Sequence, residues 1–206
     1  MKEFRLPRVY PILDTSCFKD DASLFAAARA LIEFGCTILQ YRNKTGSSRQ
    51  MLSHARELRR LAGRKVTLIM NDRADLALAA DFDGVHVGQD DLSADAVRRI
   101  VGEKLIVGTS THNPEQLREA DRANPDYIAI GPVFSTISKA NPDPVVGIEG
   151  VRLARSLTSR PLVAIGGITV EHARSVIEAG ADSLALISAL LPDPAKSIEQ
   201  FRRVLM

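Results

Sequence analysis

Leu162-Val163-Ala164-Ile165-Gly166-Gly167-Ile168-Thr169-Val170-Glu171 reads as one strand running into one helix. The apolar run 162–165 is too short for a helix and is rich in the Val, Ile and Leu of buried parallel strands. Two glycines make the turn. Thr169-Val170-Glu171 then opens a helical pattern over 170–179, which Gly180 closes as a C′ residue.

The same unit recurs along the chain. Strand-like runs lie at 9–13, 37–41, 66–70, 84–87, 105–108, 127–130, 162–165 and 183–187. Between them, residues 20–33 carry Leu24, Ala27, Ala28, Leu31 and Ile32 at helical spacing. Residues 47–61 place Leu52, Ala55, Leu58 and Leu61 on one face behind an N-cap at Ser47 or Ser48. Asn113-Pro114-Glu115 is an N-cap, an N1 proline and an acidic first turn. Eight such units share 206 residues, about 26 each, close to a minimal βα unit. This predicts an α/β chain forming one (β/α)8 TIM barrel over residues 1–206, near the short end for that architecture. The alternative, an open doubly wound sheet, calls for a glycine fingerprint after the first strand, but Asp14-Thr15-Ser16-Cys17 has none.

Composition narrows the function classes. The chain has 27 Lys and Arg against 25 Asp and Glu, a net charge of +2, and is 45% hydrophobic, enough for a sizeable core. No basic block with interleaved aromatics points to nucleic acid. No apolar run reaches the roughly 18–20 residues of a membrane span, and the N-terminal stretch lacks a signal-peptide pattern. Cys17 and Cys36 form no disulfide framework and no zinc-ligand spacing, so a cytoplasmic location is expected. The partners expected are small phosphorylated molecules; the sequence is compatible with a homo-oligomer without showing one.

In a barrel, chemistry gathers where strands end at the C-terminal face. The second strand ends Gln40-Tyr41-Arg42-Asn43-Lys44, and alternation puts Gln40, Arg42 and Lys44 on one face and Tyr41 on the other. Two cations at a barrel mouth ask for an anion. The third strand runs into Asn71-Asp72-Arg73, the fourth into Gly88-Gln89-Asp90-Asp91, and the fifth into Thr109-Ser110-Thr111-His112. Gly166-Gly167, with Ile187-Ser188 after the eighth run, matches the phosphate site many barrels share, a plain tight turn being the alternative. Asp72 and Asp91 could be ion-pair partners of the cations, or could hold magnesium, which takes one or two carboxylates plus phosphate oxygens. The Asp90-Asp91 pair also reads as an acidic first turn of the fourth helix. His86 and His112 read as structural histidines bonded to backbone, and His54 and His172 as solvated helix residues. Residues 131–147, with Pro132, Pro142 and Pro144, form the one long loop and suggest a lid carrying Lys139.

Six motifs in this order resemble those of the thiamine phosphate synthase family: QYRNK at 40–44, NDRADLA at 71–77, DGVHVGQDDL at 83–92, GTSTH at 108–112, GPVFSTISK at 131–139 and AIGGI at 164–168. The resemblance implies a transferase of thiamine biosynthesis on a (β/α)8 barrel. It would join hydroxymethylpyrimidine diphosphate to hydroxyethylthiazole phosphate, releasing diphosphate by a dissociative, magnesium-assisted displacement. It also implies that Gln40, Tyr41, Arg42, Asn43, Lys44, Asn71, Ser110 and Lys139 hold the pyrimidine diphosphate, with Arg42, Lys44, Ser110 and Lys139 catalytic. By the same resemblance Thr136, Ile137, Ser138, Gly167, Ile187 and Ser188 hold the thiazole phosphate, and Asp72 and Asp91 bind one Mg2+. Tyr41 stands where Leu or Phe is common in the family, Ser138 where Thr is, and Ser135 where Pro is. A related thiazole tautomerase, or a non-catalytic barrel binding thiazole phosphate, is the alternative; both are expected to lack elements present here.

Overall fold

The computed structural model describes residues 5–136 and 143–206. Eight parallel strands close into a barrel in sequence order. They are β1 Val9–Asp14, β2 Ile38–Arg42, β3 Thr67–Asn71, β4 Gly84–Val87, β5 Ile106–Thr111, β6 Tyr127–Ile130, β7 Leu162–Ile165 and β8 Ser183–Leu186. Pairing of β1 with β8 (Tyr10 beside Ala185) shuts the sheet, which rules out the open alternative. The helices are α1 Asp21–Glu33, α2 Ser48–Ala62, α3 Ala74–Ala79, α4 Ala94–Val101, α5 Pro114–Arg122, α6 Gly147–Leu157, α7 Val170–Glu178 and α8 Pro194–Leu205.

Local signals set most helix starts. Asp20, Ser47, Ser93, Asn113 and Asp193 each accept a hydrogen bond from an N3 backbone N–H. Because Ser93 is the cap of α4, Asp90 and Asp91 precede the helix, which corrects the reading of them as its acidic first turn. The fifth strand runs to Thr111 rather than stopping at Gly108. Ser110 therefore lies within β5, beside Ala129 of β6, with Thr111 Oγ1 donating to the Ala129 carbonyl at 2.9 Å.

Alternation along each strand divides the core in two. Inward residues such as Tyr10, Ile12, Ile38, Ile69, Tyr127 and Val163 fill the barrel. Outward ones such as Leu13, Leu39, Tyr41, Leu68, Met70 and Leu184 pack under the helices.

A repeated clamp ties the even-numbered helices to the barrel's lower rim. Asp83, Asp126 and Asp182 immediately precede β4, β6 and β8. Each accepts the first or second N–H of the preceding strand, from Leu68, Val107 and Leu162, at 2.7, 2.7 and 2.8 Å. Each also meets an arginine, Arg59 of α2, Arg98 of α4 and Arg155 of α6, at 2.6, 2.6 and 3.0 Å. At the fourth such position, before β2, Thr37 replaces the aspartate, and Arg202 of α8 bonds the Phe34 and Gly35 carbonyls instead.

Candidate functional site

The C-terminal mouth of the barrel opens into a cavity of about 400 Å3. Its wall includes Gln40, Arg42, Lys44, Asn71, Asp72, Asp91 and Ser110 on one side and Thr136, Gly167, Ile187 and Ser188 on the other. Strand ends bring these residues together from β2, β3, β4, β5, β7 and β8, as the βα rhythm demands.

Charge is arranged around Arg42 and Lys44. The Arg42 guanidinium is paired with the buried Asp14 carboxylate at the end of β1. Asp14 also accepts from the Ser16 N–H at 3.0 Å and the Ser16 hydroxyl at 2.7 Å. Three donors thus satisfy a carboxylate only 2% exposed. Lys44 Nζ lies 2.5 Å from Asp72 Oδ2. Asp72 itself turns the chain out of β3 in the left-handed region (φ 63°), its N–H bonded to the His86 carbonyl at 2.8 Å.

The carboxyls of Asp72 and Asp91 face each other closely enough to shift each other's titration. Burial, and then the facing Asp91, push the Asp72 carboxyl above the ordinary carboxylate value despite Lys44. Burial acts in the same sense on Asp91, but the facing Asp72, the Gly88 N–H at 2.9 Å and Lys44 together hold it below that value. Two facing carboxylates whose affinities for a proton are pushed apart offer oxygen ligands of the kind a hard cation takes. Among the described residues no cluster of three or more His, Cys, Asp or Glu could hold a metal by itself. The all-oxygen pair therefore suits a cation that takes its remaining ligands from phosphate and water. Nearby, the Asn71 Nδ2 is buried without a partner among the described residues.

Opposite, Gly166 (φ 99°) and Gly167 (φ 62°) turn the chain after β7. A Cβ on Gly167 would lie 2.3 Å from the Ser135 carbonyl oxygen, so this backbone is packed too closely against the 131–136 segment for any side chain.

Two of the expected pyrimidine-diphosphate residues do not face the cavity. Tyr41 points out of the barrel, its hydroxyl 2.9 Å from His54 Nδ1 under α2. The Asn43 side chain folds back on its own turn, accepting from Thr45 and Gly46 and donating to the Tyr41 hydroxyl. Strand alternation decides both: when Gln40 and Arg42 point in, Tyr41 must point out. Ile137, Ser138 and Lys139, and with them the central part (137–142) of the expected lid, lie outside the described residues. His54 is 3% exposed and lies 3.0 Å from Asp21, which corrects its reading as a solvated residue; α2 turns it toward α1 and Tyr41. His86 bonds side-chain hydroxyls rather than backbone. His112 does bond backbone, at the Gly131 carbonyl, and faces Asp143 at 3.4 Å. His172 is exposed and stacks on Phe134. The residues that sequence reading passed over are Asp14, Tyr10 and Tyr127. Asp14 ends a strand, and the strand-end rule would have found it; the two tyrosines carry no local signal.

The model of the family described as thiamine monophosphate synthase matches residues 9–190. A thiamine-phosphate synthase of Koribacter versatilis (strain Ellin345) is 59% identical over 204 residues, covering 98% of this chain and 97% of that one. The thiamine-phosphate synthase of Chloroflexus aurantiacus is 44% identical over 185 residues, covering 89% and 85%. Among solved structures, thiamine phosphate pyrophosphorylase from Pyrococcus furiosus superposes with a TM-score of 0.84 at 32% identity, covering 96% and 95%. No helix among the described residues is long and apolar enough to cross a membrane.

Proposed function

The chain belongs to the thiamine monophosphate synthase family, and from that premise we propose how its barrel performs the reaction. The activity is that of a thiamine-phosphate synthase, a transferase of thiamine biosynthesis. In our reading the C–O bond between the pyrimidine methylene carbon and diphosphate breaks first, the electron pair leaving with diphosphate. The thiazole ring nitrogen then adds its lone pair to the pyrimidinylmethyl cation, which the aminopyrimidine ring stabilises. No nucleophile or base of the protein is needed.

Arg42 and Lys44 neutralise charge that grows on the departing diphosphate, an effect strongest in the transition state. Asp14 holds Arg42 in place for this. Asp72 and Asp91 would hold magnesium, which when bound supplies further neutralisation of the leaving group. Gln40, Asn71 and Ser110 hold the pyrimidine, the buried Asn71 amide finding its partner there. Thr136 and the main chain at Gly167, Ile187 and Ser188 hold the thiazole phosphate across the cavity. Lys139, Ile137 and Ser138 keep the roles that the family motif gives them.

One observation carries this reading. A single cavity has a wall with two cations and a carboxylate pair, and an opposite wall of glycine turn and hydroxyls. Such a cavity is equipped for two phosphorylated ligands, only one of which needs a metal. The test is purified protein with both substrates, scored for thiamine phosphate and diphosphate. Equal amounts of both products, formed only with magnesium, are expected. Full turnover in excess chelator would remove the metal from the reading, and diphosphate release without coupled product would remove the thiazole site.

A further inference from the structure

Inside the barrel, one imidazole and two phenols link the two residues that flank the cavity wall. Gln40 Nε2 donates to the Tyr10 hydroxyl at 2.9 Å. The Tyr10 and Tyr127 hydroxyls are 2.9 Å apart, and Tyr127 OH is 2.9 Å from His86 Nδ1. His86 Nε2 lies 2.8 Å from Ser110 Oγ. The five residues come from β2, β1, β6, β4 and β5. Gly108 makes the path: it pairs with His86 on one side and Tyr127 on the other. A Cβ there would sit 2.1 Å from the Tyr127 ring, so its absence lets that ring reach His86 and stack on it with centroids 5.4 Å apart.

The chain has a direction. His86 is buried between two hydroxyls, Tyr127 OH at Nδ1 and Ser110 Oγ at Nε2. Tyr10 accepts from Gln40 and so gives its proton to Tyr127. Tyr127 gives its own to His86 Nδ1. The single imidazole N–H is then at Nε2 and points to Ser110 Oγ, leaving the serine proton for the cavity. At the other end, Gln40 spends its amide nitrogen on Tyr10 and offers its carbonyl oxygen. Along these four bonds a reversal at one end carries through to the other, because a partial reversal sets two donors, or two acceptors, against each other.

We infer that this relay sets substrate specificity. It fixes Gln40 as an acceptor and Ser110 as a donor, and so selects a pyrimidine edge with an amino donor beside a ring-nitrogen acceptor. An edge with an oxo acceptor beside a ring N–H donor has the opposite pattern and is rejected. Tyr10 and Tyr127 do not line the cavity and act as positioning residues. The inference rests on the reading that Gln40 and Ser110 meet the pyrimidine.

The experiment compares kcat/KM for the 4-amino and 4-oxo pyrimidine diphosphates. Tyr10→Phe and Tyr127→Phe cut different links, and either one that folds decides. Each should lower the amino-over-oxo ratio by roughly tenfold or more, the effect of freeing one buried hydrogen-bond pattern. Thr111→Val, which removes a buried hydroxyl of β5 outside the relay, should keep the wild-type ratio. A Phe variant that slows both substrates by the same factor, or leaves the ratio unchanged, overturns the relay. If Gln40→Ala and Ser110→Ala bind and turn over the amino substrate like wild type, the pyrimidine's placement is wrong instead, and the two failures are told apart.

Discussion

Lys44 Nζ lies 2.5 Å from Asp72 Oδ2, and the same carboxylate faces that of Asp91. A cation and two carboxylates therefore share one corner of the mouth. In the proposed reading, bound diphosphate would give Lys44 a second anion and leave the two carboxylates to a divalent cation.

Asp91 is the residue of this corner whose loss should be felt in rate rather than in folding. It lies in the turn before α4, anchored by the Gly88 N–H at 2.9 Å. As a metal ligand it would contribute several kcal/mol to the transition state, so Asp91→Ala should slow coupling by about a hundred- to a thousand-fold. Thiazole phosphate affinity, set across the cavity, should stay at the wild-type value. Coupling rate against magnesium concentration, with thiazole phosphate binding alongside, checks both. A mutant that couples normally would sink the metal role.

Asp14 should matter through Arg42. The Asn substitution keeps the shape and an acceptor for Ser16 but loses the charge that holds the guanidinium. A charge-assisted hydrogen bond is worth about 1.5–3 kcal/mol, so Asp14→Asn should lower kcat/KM for the pyrimidine diphosphate by roughly ten- to a hundred-fold, mainly through kcat. Steady-state kinetics and a melting curve separate this from unfolding; an unchanged kcat/KM means that Arg42 does not need its partner.

His86 should make stability depend on acid. Burial lowers its pKa from 6.5 to about 4. The unfolded chain therefore takes up a proton that the folded one refuses. The stabilisation is complete above the unfolded pKa, shrinks as pH falls below it, and is gone once pH passes below the folded pKa. The shift corresponds to about 3 kcal/mol. Unfolding free energy measured at pH 7 and pH 4.5 should fall more steeply for wild type than for His86→Gln, by about 2 kcal/mol. Parallel slopes would mean that His86 is protonated in the fold.

The rim clamps should act on stability alone. Asp126 accepts the Val107 N–H and the Arg98 guanidinium, both far from the cavity end of the strands. Asp126→Ala leaves that backbone N–H without its acceptor and should cost about 1–3 kcal/mol, with kcat unchanged at temperatures where the protein stays folded. Denaturant melts and turnover on the same preparation give the answer; a loss of turnover without a loss of stability would contradict it.

The barrel was legible in the sequence because its units are local. A run such as 162–165, its Gly-Gly turn and the helix closed by Gly180 each follow from neighbours within a few residues, and eight of them leave little choice of architecture. Residues at strand ends were legible for the same reason: alternation alone turns Gln40 and Arg42 inward and Tyr41 outward. What only the tertiary structure decided are the contacts made across the barrel. Tyr10 and Tyr127 are separated by 117 residues and meet because closure of β1 on β8 and the register of β4, β5 and β6 bring their hydroxyls to 2.9 Å. Gly108 looks in the sequence like one more small residue at a strand end, and its meaning is the tyrosine ring that fills its place. His54 shows a helical position but not that its face turns to Tyr41. Periodicity tells which side a residue takes; only the closed sheet, whose register is a property of all eight strands together, tells what it meets there.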